Sequence, residues 1–455
     1  MSKHLDPVTG KVVPVFFGYA VPSIIGMLSL SCAVVVDGIF LGKYGGTTSL
    51  ASVNLTIPAT GLLFGVALMF SVGGAIRCGK HIGAGDLKAA NGSFSQTIGF
   101  ISLLSILLTA LGLVFMDQLV FLLGADATLA PTVAEYLGVL LFFTIFQLGA
   151  VCLSYFVRVA NLPIWAAAAM VIGSLLNILL DWIFVVKLQM GHQGAALGTG
   201  LAETTSFLLL CAPFLSKRAK LKFSWRKKDI SEVFKAGING FPEFFNEFSI
   251  GIIMFIFNWI IMKKLGANGI AAFSIINYMF MGGLVISYGI SDSLQPVISQ
   301  NYGALQPKRI RLFMIIATTT VFVVGIVIST LLATNPHVVS DLFIRAGERE
   351  TIKLTNLFIS RIWPVFIING VNIVLAAYLM AMHRCLDSTL IILTRNLLLP
   401  VLFLFIIHVL IGHDAIMIVL PISELVTFFI SVFLIYKYSP KKLIGKVPVL
   451  KVAVA

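Results

Sequence analysis

The stretch GKYGGTTSLASVNL, residues 42–55, has a counterpart in KKLGANGIAAFSII, residues 263–276, at an offset of 221 in the numbering. A second pair, HIGAGD at 81–86 and NYGALQ at 301–306, has an offset of 220. Several matches at nearly one spacing indicate an internal repeat. The 455-residue chain is therefore expected to contain two related halves.

The composition indicates that most of the protein surface is not in water. Only 11% of the residues are charged and the mean hydropathy is +1.01. The apolar segments have helix length rather than the ten-residue alternation of a barrel, because backbone groups in hydrocarbon must be hydrogen-bonded within the segment. We predict an all-α integral membrane protein with twelve transmembrane helices, near 14–41, 50–76, 93–115, 133–157, 164–186, 193–215, 236–262, 269–297, 312–334, 355–382, 389–411 and 413–436.

The repeat divides these helices into two six-helix bundles. Residues 1–215 form the predicted N-lobe, 216–235 a basic cytoplasmic linker, and 236–455 the C-lobe and a cytoplasmic tail. Since six is even, both bundles enter the membrane from the same side and are related by a pseudo-twofold axis along the membrane normal. Transporters with such repeats place their sites near the midplane, where the halves meet.

The distribution of basic residues predicts the orientation. The even-to-odd connections and both ends of the chain carry 23 Lys and Arg, whereas the opposite side carries 7. Both termini are therefore expected in the cytoplasm, and the net charge of +13 reports topology rather than a nucleic-acid partner. The first apolar run is too long for a cleavable signal peptide. The five cysteines have no paired spacing, so we expect neither a disulfide nor a zinc site.

Polar residues inside the N-lobe segments are the candidate functional site. Asp37 lies within the apolar run SCAVVVDGIF, residues 31–40, and Asp181 follows Asn177 by four residues, which places the two on one helix face. Thr199 and Glu203 form a similar pair in the sixth segment. An ionised carboxylate in lipid costs on the order of 3 kcal/mol or much more, so these groups should face a protein interior or water.

Two chemistries suit this set. Neighbouring carboxylates cannot both stay ionised without a cation, so one binds a proton, or the oxygens hold a small alkali cation such as Na⁺. A structural role, with each carboxylate hydrogen-bonded to neighbouring helices, is the alternative. At an offset of 221, Asp37 corresponds to Asn258, so only one half carries this carboxylate.

The C-lobe offers accessory candidates. Glu243 and Glu247 are four residues apart in the seventh segment, and Asp292 lies in the eighth. Glu243 follows the cytoplasmic entry of its segment closely and is expected in water, whereas Glu247 lies one turn deeper. Arg361 and Arg395 are expected to pair with carbonyl groups or lipid headgroups by snorkelling.

The whole chain resembles the multidrug and toxic compound extrusion (MATE) transporters of prokaryotes. The resemblance rests on the two repeats, DGIFLGKYGGTTSLASVNL from Asp37 onward, FVRVANLP at 156–163, NILLDWIFV at 177–185 and QPVISQNYGA at 295–304. It implies that Asp37, Asn177, Asp181 and Thr199 form the N-lobe cation site of the DinF branch. The NorM branch carries an aspartate in the tenth helix, and here that segment has none.

The function implied is efflux of amphipathic, often cationic compounds in exchange for H⁺ or Na⁺, with protonation of Asp37 bending the first helix, which contains Pro22. The alternative is a lipid-linked precursor flippase of the same superfamily, which would need a cationic cavity. No hydrolase, metalloprotease or nucleotide-binding motif occurs, so an enzyme is not expected. We expect no cofactor, a monomer that contacts drugs or dyes and membrane lipids, and a location in a bacterial inner membrane.

Overall fold

The computed structural model describes residues 5–216, 219–224, 230–337, 348–410 and 413–445, and these ranges contain only helices and their connections. The helices that position the site are bounded by short polar or glycine-containing turns. In chain order they are α1 (Val12–Phe40), α2 (Gly46–Gly83), α3 (Leu87–Val114), α4 (Met116–Leu122), α5 (Ala130–Val159), α6 (Pro163–Asp181), α7 (Gly191–Leu215), α8 (Ile230–Gly303), α9 (Pro307–Thr334), α10 (Arg349–Ile362), α11 (Val365–Ala381), α12 (Cys385–Leu393), α13 (Leu399–Leu410), α14 (Val419–Lys437) and α15 (Pro440–Ile444).

The long helices account for twelve membrane crossings. Ten continuous helices of the described chain are long and apolar enough to cross a bilayer, and α10 with α11, bent by 55°, makes an eleventh. The longest of the ten, within α8, is broken at Gly266, whose φ of 61° is not helical. Each part of α8 has about 36 residues and a length of about 54 Å, enough for a crossing of its own. The predicted all-α membrane architecture is confirmed.

The helices extend past the apolar segments that the sequence marks. The twelfth predicted segment ends at residue 436 and the helix at Lys437, but α2 continues beyond residue 76 to Gly83. Polar helical turns outside the hydrocarbon layer are invisible to a hydropathy window. Helix α8 begins at Ile230, inside the range assigned to the linker, while residues 217–218 and 225–229 of that linker lie outside the described residues.

The repeat is visible in the backbone of the turns. Gly46 and Gly266, at an offset of 220, both have positive φ, as do Gly85 and Leu305 at the same offset. The hydrogen bonds agree, since Asp86 N donates to the His81 carbonyl at 2.9 Å and Gln306 N to the Asn301 carbonyl at 3.0 Å. In each half, the second helix therefore ends in the same αL turn.

The first and the last described residues lie at one end of the bundle, which we call the base. Arg309, at the start of α9, donates to the carbonyl of Pro7 at 2.7 Å, and the Tyr378 hydroxyl donates to the carbonyl of Tyr438 at 3.0 Å. The rings of Tyr302 and His383, 5.6 Å apart, join these two regions. Residues 5–11 and 438–445 therefore belong to the same end.

At the base the two halves touch through reciprocal backbone contacts. A Cβ on Gly83 of α2 would overlap the Gln300 carbonyl of α8, and a Cβ on Gly303 would overlap the Lys80 carbonyl. Positions 80 and 300, and 83 and 303, are equivalent in the repeat. Only glycine permits this approach, so the halves are in backbone contact at the base.

Away from the base, the facing surfaces separate. Along one face of α2, Gly73 lies against Gly240 and Ala236 of α8, and Gly65 lies against Glu247. One turn farther along that face, a Cβ on Gly61 would meet no atom of the described structure within 4 Å. The same holds for Gly282, its approximate counterpart in α8. The halves thus close at the base and part toward the opposite end.

Helix α1 belongs to both halves. Its first turns, including Phe16 and Tyr19, are fully buried in a core with Phe313 and Tyr378 of the second half. Farther along, Gly26 lies against Met170 of α6, in the first half. The helix runs unbroken through Pro22. It therefore connects the core of the second half to the end of the first half that lies opposite the base, which we call the outer end.

The glycine contact gives a test of the interface. Gly73→Ala is expected to lower the free energy of unfolding by about 1–3 kcal/mol, because the added methyl group overlaps the Ala236 carbonyl. Gly61→Ala, on the same helix face in open space, is the matched control and should be neutral or stabilising by up to about 1 kcal/mol. Thermal unfolding of the purified protein in detergent measures both. Equal transition temperatures for the two variants would contradict the contact.

Candidate functional site

Two π-helical turns lie at the outer end of the first half, next to the predicted carboxylates. Asp37 is four residues before the turn Leu41–Gly45 that follows α1, and Asp181 ends α6 directly before the turn Trp182–Lys187. The two turns contact each other. Wider turns of this kind occur frequently at functional sites. The ends of α1 and α6 therefore bring Asp37 and Asp181 to the same level.

The carboxylate of Asp181 is buried without a hydrogen-bond partner. The side chain is 0% exposed, and neither of its oxygens accepts a hydrogen bond from any described residue. Asp37 is half-buried, and its Oδ1 is likewise without a partner in the described structure. Buried polar atoms are nearly always hydrogen-bonded. The hydrogen bonds that a purely structural role would need are thus not seen among the described residues.

Helices α6 and α7 bring the other predicted residues to this place. Asn177, one turn before Asp181, directs its amide Nδ2 toward Thr199 Oγ1 at 3.4 Å. A Cβ on Gly198 would overlap Oδ1 of Asp181, so the glycine allows the carboxylate to lie against α7. Asn177, Asp181 and Thr199 therefore meet at one contact between two helices.

Asp37 completes the site from α1, and Tyr136 adds a side chain that the sequence did not single out. The end of α1 contacts the turn Trp182–Lys187 that follows Asp181, and Tyr136 of α5, which is 6% exposed, lies near both carboxylates. One tyrosine in an apolar helix has no spacing that marks it. We call Asp37, Tyr136, Asn177, Asp181 and Thr199 the N-half site.

The chemistry of the N-half site is that of hard oxygen ligands. It offers two carboxylates, the Asn177 amide and the Thr199 hydroxyl, which suit a proton or a small alkali cation. Among the described residues, no group of three His, Cys, Asp or Glu side chains could hold a metal ion. A site of this kind can take up and release one positive charge.

Glu203 borders the N-half site, whereas Glu243 and Glu247 lie in the second half. Glu203 is partly buried one turn beyond Thr199 on α7. Glu243 and Glu247 lie in the first part of α8, at the contact between the halves. Gln295 Nε2 donates to Glu243 at 3.3 Å, and Asn246 Nδ2 lies 3.3 Å from Glu247. Glu243 is half-buried, with Gln295 of the second part of α8 against it, so its contact with water stays a prediction.

The second half holds a buried ion pair where the repeat predicts a counterpart of Glu203. Glu424 of α14, at an offset of 221 from Glu203, has its Oε1 3.3 Å from Nε of Arg395, and both side chains are at most 7% exposed. Asn369 donates to Glu424, and Asn372 does so at 2.7 Å. The prediction that Arg395 reaches carbonyls or headgroups was wrong. Its position in the π turn Thr394–Leu398 directs it inward.

The fold and the buried polar groups define a polytopic membrane transport protein. The family model MatE matches residues 22–183 and 242–406, one segment in each half. The chain belongs to this family, the MATE transporters, which are membrane transporters rather than enzymes. The resemblance seen in the sequence is confirmed.

Known proteins are similar to this chain over nearly its whole length. The multidrug export protein MepA of Staphylococcus haemolyticus is 23% identical over 440 residues, which cover 95% of each chain. A crystal structure of MATE in complex with MaL6 is similar with a TM-score of 0.91 at 22% identity, over 97% of this chain and 99% of the other. An outward-facing multidrug resistance MATE family transporter of the MOP superfamily gives 0.90 at 23%, with the same coverage. These similarities support the fold of twelve helices in two lobes.

The N-half site predicts a large effect from one methyl group. Gly198→Ala is expected to displace the Asp181 carboxylate and to reduce ethidium export from cells about tenfold or more, since a shift of about 1 Å in a reacting group can cost still more. Gly99→Ala in α3, where a Cβ meets no described atom within 4 Å, is the control. Export by Gly198→Ala at the wild-type rate would show that the carboxylate position is unimportant.

The ion pair of the second half predicts a change in stability. Arg395→Met leaves Glu424 buried without a cation, which we expect to cost about 3–5 kcal/mol. The double variant Arg395→Met/Glu424→Gln removes both charges and should recover much of the loss. Thermal unfolding in detergent measures this, with size-exclusion chromatography of heated samples as the readout. A single variant as stable as wild type, or a double variant as unstable as the single one, contradicts the pairing.

Proposed function

We propose that this chain is a multidrug efflux antiporter that exports amphipathic, often cationic compounds in exchange for H⁺ or Na⁺. The observation that carries the proposal is the Asp181 carboxylate, buried without a hydrogen-bond partner among the described residues and close to Asp37. A lone buried charge of this kind is costly unless a cation or proton joins it. The names of the relatives, which are multidrug export proteins, support the substrate class.

The direction of exchange follows from the topology. The basic residues favour a cytoplasmic base, so the halves are closed toward the cytoplasm and part toward the outside. The N-half site lies at the outer end of α1 and α6, where a cation from the outside has the shorter path. In this scheme the cation enters as the drug leaves, and the return step opens the base. The setting is a bacterial inner membrane with both termini inside.

Helix α1 is the element through which charge at the N-half site acts on the halves. Neutralising Asp37 changes its interactions with Asp181 and Tyr136, while the first turns of α1 stay packed in the second half's core. A helix fixed at one end and released at the other bends where a backbone donor is missing, which is at Pro22. This bend moves the outer part of α1 toward the cavity and expels the drug.

The alternative, a flippase for lipid-linked precursors, has weaker support. It needs free cationic groups in the cavity for a pyrophosphate. The two arginines buried in the described structure, Arg158 and Arg395, each have a carboxylate within 3.5 Å. Their charge is already neutralised, so they offer little to an anionic substrate.

The test is ethidium transport into everted or reconstituted vesicles under an imposed pH gradient or an imposed Na⁺ gradient. Wild type is expected to respond to one gradient, which names the ion. Asp37→Asn and Asp181→Asn should each reduce gradient-driven transport at least about tenfold, a loss of more than about 1.4 kcal/mol in coupling. Glu348→Gln, an exposed carboxylate outside the described helices, is the control and should transport normally.

The outcomes separate the roles. Transport by wild type under neither gradient would overturn the antiport mechanism. Full transport by both aspartate variants would place the coupling elsewhere, with Glu247 the next residue to test. Loss in Asp37→Asn alone would leave Asp37 as the coupling residue and show that the charge of Asp181 is not needed.

A further inference from the structure

A second set of buried charges joins the two halves near the base. Arg158, at the end of α5, is 3% exposed, and its Nη1 lies 3.5 Å from Oδ2 of Asp292 in the second part of α8. The Tyr155 hydroxyl donates to the same oxygen at 3.2 Å. We call Tyr155, Arg158 and Asp292 the base latch. Arg158 and Tyr155 belong to the first half and Asp292 to the second, so the ion pair bridges them.

The surroundings of Arg158 leave it one charged partner. Its Nη2 contacts the Met170 sulfur at 3.4 Å, and its guanidinium lies 5.1 Å from the ring centre of Tyr155. Asp292 is the one carboxylate of the described residues within salt-bridge distance. A guanidinium out of water needs such a partner, and the loss of one member leaves the other buried and uncompensated.

Neighbouring contacts hold the same two helices. Nε2 of Gln300 in α8 donates to the Val159 carbonyl at the end of α5 at 2.9 Å. Within α8, Gln295, one turn from Asp292, donates to Glu243 of the first part and so joins the two parts of that helix. The end of α5 is therefore held against α8 by polar contacts, in a region where the halves approach closely enough to require glycine.

We propose that the base latch keeps the base closed and that it separates each time the base opens during transport. The ion pair stabilises the closed form because Arg158 is withdrawn from water there, and both charges become fully hydrated once the halves part. Tyr155 is a positioning residue that holds the Asp292 carboxylate toward Arg158. The inference rests on the proposed alternating access, but it concerns a contact distinct from the N-half site.

The experiment measures closure of the base directly. Lys80 of α2 and Tyr302 of α8 face each other across the halves, with Nζ 5.6 Å from the ring centre. In Lys80→Cys/Tyr302→Cys, with a protease site inserted in the segment between α7 and α8, a thiol cross-linker joins the two fragments after cleavage. The single variants Lys80→Cys and Tyr302→Cys report any cross-linking to the native cysteines.

In this background, Arg158→Met and Asp292→Asn are each expected to lower the cross-linking rate at least threefold. Arg158→Lys, which keeps the positive charge, should retain most of the parent's cross-linking rate. Arg384→Met is the matched control, because Arg384 pairs with Asp387, three residues later in the same half. The cross-linking rate of this variant should equal that of the parent. A merely structural role would lower thermal stability without changing the rate of the folded fraction.

Parent-like cross-linking in folded Arg158→Met and Asp292→Asn would overturn the proposal. If both fail to fold, Tyr155→Phe, which removes one hydroxyl, decides the matter, since an unchanged rate for this variant also overturns it. The readout needs neither drug nor gradient. If the latch variants reduce cross-linking but the wild-type protein transports nothing, the base latch stands and the proposed function is refuted. If the wild-type protein transports but the latch variants cross-link like the parent, the proposed function stands and the base latch is refuted.

Discussion

The structure depends on the fact that the hydrocarbon of the bilayer offers a polar or charged group neither a hydrogen bond nor a counter-charge. A buried charge in the membrane is costly without a partner, and the buried ionisable groups of the chain differ in whether they have one. Arg158 and Arg395 each lie beside a carboxylate, so their charges are neutralised by fixed groups. Asp181 has no such partner among the described residues. The paired charges hold helices together, and Asp181 is the carboxylate to which the proposed function assigns a mobile ion.

The second constraint is the geometry of the contact between the halves. Glycine in α2 and α8 brings backbones together near the base, and the same helix faces open farther away. In the proposed transport cycle one end closes while the other opens, and the backbone contact between α2 and α8 is how the base closes in this structure. Helix α1 links the halves, since its beginning is packed in the core of the second half and Gly26 lies against Met170 of the first.

Most of the fold could be predicted from the sequence because the bilayer imposes a length and a hydropathy on each span. The repeat offset of 220, read from short matches, reappears in the positive φ of Gly85 and Leu305. The sequence also named Asp37, Asn177, Asp181 and Thr199 together. It could not identify Tyr136, or the partners of Arg158 and Arg395, because these depend on which helix faces come together. A π turn such as Thr394–Leu398, which redirects Arg395, has no hydropathy signal.

The reciprocal contact at the base has an evolutionary consequence. Gly83 meets Gln300 and Gly303 meets Lys80, so equivalent residues touch equivalent residues, as in the isologous interface of a symmetric dimer. One ancestral six-helix subunit could have formed this interface with its own copy, oriented the same way in the membrane. Joining two copies in one chain then allowed them to diverge. A fixed arginine in one half and an unpaired aspartate in the other is a division of labour that no homodimer encoded by a single gene can have.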